Sequence, residues 1–171
     1  MKDSDFFTWR RDCSLRFQEL TCVDEVYQEL QRQTQTLEFD CYSLCVRHPV
    51  PFTRPKISVH TTYPKQWMAQ YQSANYFAID PVLKPENFIQ GHLPWTDALF
   101  ADAQELWHSA QDHGLREGIT QCLMLPNHAL GFLSVSRTSV LEGPFAREEI
   151  ELRLQMLVQM ALTSLVRFED E

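Results

Sequence analysis

The sequence predicts an α+β domain in which a mostly antiparallel sheet lies between helical layers. Three observations carry this. Apolar spacing is helical up to Leu37 and changes to a strand pattern at Phe39. GITQCLMLP and ALGFLSVSR are two strand-like runs separated by Asn127-His128, the spacing of a tight hairpin. PFAREEIELRLQMLVQMALTSLVRF then reads as one long amphipathic helix.

The elements follow in order. Leu15, Phe17 and Leu20 lie along a first helix at about 4–20, with Asp3 or Ser4 as its cap. Thr21 and Asp24 form a capping signal for a second helix at about 22–37, where Val23, Val26, Tyr27, Leu30 and Leu37 recur at helical spacing. FDCYSLCVR is a strand, interleaving aromatic and small residues. HPVPFTRP carries too many prolines to continue a sheet and is loop; KISVHTT is a second short strand. Pro64 opens a helix at its first position, and KQWMAQYQSA suits one. Pro81, Pro85 and Pro94 make 75–97 irregular. ALFADAQELWHSAQDHG is a helix at about 98–113, closed by Gly114. The two hairpin strands are almost continuously apolar, as in a sheet covered on both faces. In the last helix Ile150, Leu154, Leu157, Val158, Ala161, Leu165 and Phe168 form the apolar stripe.

With 171 residues the chain suits one domain. Folding at that size buries about 70% of the unfolded surface, so neither disulfides nor metals are needed. Fifteen basic against 23 acidic residues give a net charge of −8, which argues against gripping nucleic acid or anionic lipid through bulk charge. No apolar run approaches the roughly 18 residues of a membrane span. The charged start MKDSDFFTWRRDC has no signal core, so the chain reads as cytoplasmic. Its five cysteines have no framework spacing and read as small buried hydrophobes.

Catalytic motifs are missing: there is no G-x-S-x-G, phosphate loop, dinucleotide fingerprint or H-E-x-x-H. Cys41, Cys45 and His48 are the nearest approach to a metal set. On a strand the two thiols would stand about 13 Å apart, too far for one zinc ion. The sequence therefore predicts no catalytic residues, no metal and no cofactor.

One stretch is unlike plain core. Trp67 and Tyr71 are four apart and share a helix face, Tyr63 precedes the same helix, and Asp80 sits in the apolar setting AIDPV, with Trp95 further on. Asp80-Pro81 is also an ordinary turn starter, and an aromatic stripe alone is ordinary core. Together they are more specific. Trp and Tyr donate, and an ionised Asp only accepts. Two donors and one acceptor match a ligand with two carbonyls and one amide N–H, and a buried carboxylate must find donors.

Trp67-x3-Tyr71, Asp80-Pro81, Trp95 and Gly118 in HGLREGIT resemble, in order, the signature of the autoinducer-binding domain of LuxR-type transcriptional regulators. The resemblance covers nearly the whole chain, including WRRDCSLRFQEL, YSLCVRHPVPFTRP and LMLPNHALGFLSVSR. It implies an α/β/α sandwich around a five-stranded antiparallel sheet, and a quorum-sensing receptor for an N-acyl-homoserine lactone. By that resemblance Trp67 donates to the lactone carbonyl, Asp80 accepts from the amide N–H, and Tyr63 donates to the acyl carbonyl. Tyr71 and Trp95 wall the head group. Ser134 falls where the family often has a hydroxyl near the acyl chain, with Ser43 a weaker choice. Gly118 answers a backbone or packing requirement.

Regulators of this type end in a helix-turn-helix domain, and none follows within 1–171. The chain therefore reads as the sensor half, with DNA a partner only through that further domain of the parent protein. Two other readings stand beside it. A receptor for another acylated polar head, such as a monoacylglycerol, would share the tail and a carbonyl but lack the amide N–H. A lactone or acyl hydrolase would need a nucleophile and base that no motif supplies. Pairing of the final helix with a second copy is left open, as is the preferred acyl length.

Overall fold

The computed structural model describes residues 5–48, 56–88, 91–126, 128–138 and 147–169. In chain order they form α1 (Phe6–Glu19), α2 (Val23–Thr36), β1 (Cys41–His48), β2 (Lys56–Thr61) and α3 (Lys65–Ser73). There follow three short 3-10 turns, then β3 (His92–Pro94), α4 (Gln104–Asp112), β4 (Glu117–Met124), β5 (Leu130–Arg137) and α5 (Arg147–Glu169). The sheet order is β2-β1-β5-β4-β3, and every neighbouring pair is antiparallel. This is the α+β sandwich with a five-stranded sheet.

The strand period of two divides the side chains between two cores. On β5, Leu133 and Val135 join Leu44, Val26, Leu30, Leu154 and Leu157 beneath α1, α2 and α5. Phe132 faces the other way, into a second core with Cys45, Trp67, Tyr71, Leu106 and Trp107. Burial on both faces explains why the hairpin strands read as apolar throughout.

Several ends differ from the sequence reading. Asp5 caps α1, its Oδ1 accepting from the Thr8 N–H at 2.7 Å; Asp3 and Ser4 lie outside the described residues. The buried line of α1 is Trp9, Cys13 and Phe17, while Leu15 is exposed. Thr21 works with Glu25, whose Oε1 accepts from both its N–H and its hydroxyl, rather than with Asp24. Phe39 precedes its strand: Glu38 is left-handed and the Phe39 N–H closes onto the Thr34 carbonyl, delaying β1 to Cys41. The predicted loop 48–55 begins in β1 at His48; the rest lies outside the described residues. Pro64 stands just ahead of α3.

Segment 75–97 contains a strand, β3, whose Pro94 is tolerated because it lies on the sheet edge. Helix α4 begins at Gln104, later than 98, because the preceding residues form turns that stack Phe100 on Trp107 at 4.3 Å. Gly114 follows α4 with φ +93°, the left-handed stop its position predicts. In the final helix Leu162 joins the buried stripe, whereas Leu165 and Phe168 are only partly covered. Cys13 and Cys45 are buried, but Cys22 is exposed.

Among the described residues no helix is long and apolar enough to cross a membrane. Nor do three His, Cys, Asp or Glu side chains gather closely enough there to hold a metal ion.

Candidate functional site

Strand register builds one wall of the site. Thr61 pairs with Ser43, Ser43 with Ser134, and Ser134 with Thr120, which lines up four hydroxyl side chains across β2, β1, β5 and β4. The next row on that face is Val59, Cys45, Phe132 and Cys122. A polar row thus lies beside an apolar one, roughly 7 Å away.

The opposite wall comes from α3, α4 and the turns between. Trp67 and Tyr71 are buried on one face of α3 with ring centroids 5.8 Å apart. Asn75, left-handed at φ +56°, turns the chain back so that Asp80 lies within reach of Tyr71. The Tyr71 hydroxyl donates to Asp80 Oδ2 at 2.5 Å, and the Val82 N–H donates to Oδ1 at 3.1 Å. The ordinary Asp-Pro turn and a specific tyrosine contact are therefore both present. Burial pushes the Asp80 carboxyl up to about 6, while the Tyr71 and Val82 hydrogen bonds and the Lys84 charge pull it down. Burial, reinforced by the Asp80 charge, holds the Tyr71 phenol far above its ordinary range, so it stays a donor.

All seven residues singled out from sequence (Tyr63, Trp67, Asp80, Tyr71, Trp95, Ser134 and Ser43) line one cavity of about 60 Å³ between the sheet and this helical layer. That volume holds a few water molecules. A further polar chain starts from two of its lining residues, Trp95 and Ser134. The Trp95 indole N–H donates to Thr120 Oγ1 at 2.9 Å, and Thr120 meets Ser134 Oγ at 2.7 Å. The Trp67 indole N–H has no acceptor among the described residues. Gly118 has a steric role: a Cβ there would overlap the Trp95 indole, so only glycine lets that ring lie against β4.

A model of the autoinducer-binding domain family matches residues 23–165. The chain belongs to this family.

Its relatives agree. The chain is 58% identical to the regulatory protein SdiA of Escherichia coli K12 over 171 residues, covering all of this chain and 71% of SdiA. It is 37% identical to RhlR, an HTH-type quorum-sensing regulator of Pseudomonas aeruginosa, over 98% of this chain and 69% of RhlR. A structure of SdiA with octanoyl-rac-glycerol superposes with a TM-score of 0.93, covering 100% of this chain and 70% of that one. The Burkholderia cenocepacia regulator CepR2 shares the fold at a TM-score of 0.77, with 21% identity over 96% of this chain and 98% of that one.

Sequence reasoning missed several parts of this domain's site. Thr120 escaped because a hydroxyl inside an apolar strand run carries no signal until register sets it opposite Ser134. Phe132, Val82 and Leu83 line the cavity and read from sequence as plain core. Tyr71 was read as a wall, yet its hydroxyl is what holds Asp80.

Proposed function

We propose that this domain is the ligand sensor of a LuxR-type quorum-sensing regulator and takes an N-acyl-homoserine lactone into the cavity, whose walls move apart to admit it. The observation that carries the reading is Asp80: a buried carboxylate, held by Tyr71 and Val82, that lines the same largely apolar cavity as Trp67. The ligand amide N–H supplies Asp80 with a third donor and offsets part of its burial cost. Trp67 donates to the lactone carbonyl and Tyr63 to the acyl carbonyl. Tyr71 and Trp95 flank the ring, and Ser134 and Ser43 stand beside the start of the chain. The acyl tail lies over the Cys45–Phe132 row. In the parent protein, occupancy would govern DNA binding through a helix-turn-helix domain, in the cytoplasm, with no cofactor.

The SdiA structure with octanoyl-rac-glycerol favours a second reading. A monoacylglycerol shares the tail and acyl carbonyl, and a glycerol hydroxyl can donate to Asp80 in place of the amide. Incubating the chain with equal amounts of N-octanoyl-homoserine lactone and 1-octanoylglycerol, then identifying the bound fraction by mass spectrometry, separates the readings. Retained intact lactone supports the proposal. Preferential retention of the glycerol ester supports the second reading, and recovery of ring-opened lactone would mean a hydrolase.

A further inference from the structure

The cavity face of the sheet has a third row. Beyond the hydroxyl row and the Cys45–Phe132 row, the register aligns Ile57, Arg47 and Leu130. From Ser43 to Arg47 along β1 is about 13 Å. Arg47 is half-buried, and its guanidinium lies 5.7 Å from the centre of the Phe132 ring. Its Nη2 donates to the Leu83 carbonyl at 2.8 Å. No carboxylate pairs with it among the described residues.

Arg47 stands just outside the cavity lining, and its bond links β1, the strand of Ser43 and Cys45, to Leu83 on the opposite wall. Phe132 belongs to the sheet wall, and Leu83 ends the short turn Pro81–Leu83 that starts at Asp80. One side chain therefore ties the strand to the segment carrying Asp80, on the far side of Phe132 from Ser134 and Tyr63. Arg47 also makes itself felt at the thiols flanking Phe132. Burial pushes Cys45 up to about 12 and Cys122 up to about 11, and the Arg47 charge pulls both down.

We propose that Arg47 is the end-stop of the acyl channel and sets the longest chain the domain accepts. The inference rests on the acyl-ligand reading above. A methylene placed over Cys45 and Phe132 gains up to about fourfold in affinity. A chain that reaches the third row meets a guanidinium it cannot satisfy. To pass, it must break the bond to the Leu83 carbonyl and leave both groups short of partners. A chain-length ceiling follows from a charged plug, not from lack of apolar surface.

Arg47→Met keeps the stem and removes the plug, whereas Arg47→Lys keeps a charged donor. The test is equilibrium titration of the wild type and both variants with homoserine lactones of six, eight, ten, twelve and fourteen carbons, and with 1-acylglycerols of the same lengths. The wild type should bind the eight-carbon ligand more tightly than the twelve- or fourteen-carbon ones. Arg47→Met should raise the twelve-to-eight affinity ratio by about tenfold or more, the size of one lost charged hydrogen bond, with Arg47→Lys between. Six-carbon binding should change little, which separates a lost plug from a damaged fold. An unchanged ratio overturns the proposal, and so does uniform weakening at every length. A wild type that binds fourteen carbons as tightly as eight overturns it too. If only acylglycerols bind, the lactone reading falls and the end-stop is judged on that series; if neither series binds, both fall.

Discussion

The Tyr71 hydroxyl lies 2.5 Å from Asp80 Oδ2, nine residues further along the chain. The contact fixes the only acidic side chain that lines the cavity among the described residues and gives it a direction, since the opposite oxygen is held by the Val82 N–H.

Asp80→Asn should weaken binding of N-octanoyl-homoserine lactone more than Ser134→Ala does. A charge-assisted hydrogen bond contributes about 1.5–3 kcal/mol, against roughly 1 for a neutral one. Asn can still accept through its carbonyl, so some binding should survive. Calorimetric titration giving equal losses would remove Asp80 from the role assigned to it.

Trp67→Phe keeps an aromatic ring against Tyr71 and Tyr76 and deletes the unused N–H. The expected loss in lactone binding is about 1 kcal/mol, with little change in the unliganded melting midpoint. Unaltered affinity would make Trp67 plain core.

The pH dependence follows from Asp80. Its carboxyl is raised from 3.8 to about 6, so the folded state penalises the ionised form. The penalty is absent below about 3.8, grows as pH rises through the window, and is complete above about 6, at on the order of 3 kcal/mol. Unliganded stability should fall across that window. Lactone affinity should rise across it and then level off, because the ligand donates to the ionised form. Denaturation and titration at pH 5, 6 and 7 check both slopes, and Asp80→Asn should flatten them. An affinity that falls with rising pH would contradict this.

Gly118→Ala should displace the Trp95 ring, because its methyl would occupy the space of the indole. Overpacking of this kind costs about 1–3 kcal/mol. A lower melting midpoint and altered tryptophan emission are expected, together with weaker lactone binding. A variant with wild-type emission and affinity would show that Trp95 is not held by this contact.

What could be read from the chain was what local periodicity records. The last helix and the Trp67–Tyr71 pair announce themselves by spacing; so does the β4–β5 hairpin, although β4 stops at Met124 and β5 starts at Leu130, a longer connection than the Asn127-His128 pair, of which Asn127 lies outside the described residues. Asp80 was visible as a polar residue out of place among apolar ones. Strand β3 was not, because three residues ending in a proline carry no alternation. The Thr61–Ser43–Ser134–Thr120 row depends on strand register, which no single segment encodes. Arg47 reads as an ordinary strand-end cation until the fold brings the Leu83 carbonyl to it.

The central claim is that the cavity reads a closed lactone ring beside Asp80, and thermal melting with three ligands tests it most directly. A ligand that binds only the folded state at a hundredfold excess over its Kd adds about 2.7 kcal/mol. For a chain of this size each kcal/mol moves the midpoint by roughly 2–4 °C. Intact N-octanoyl-homoserine lactone should raise the midpoint by several degrees, and less in Asp80→Asn and Trp67→Phe. The ring-opened acid should do less in the wild type, because it brings a second carboxylate toward Asp80; 1-octanoylglycerol, run alongside, measures what the tail and acyl carbonyl contribute without the ring. Equal stabilisation by intact and opened lactone would contradict the account and leave a general acyl-lipid receptor.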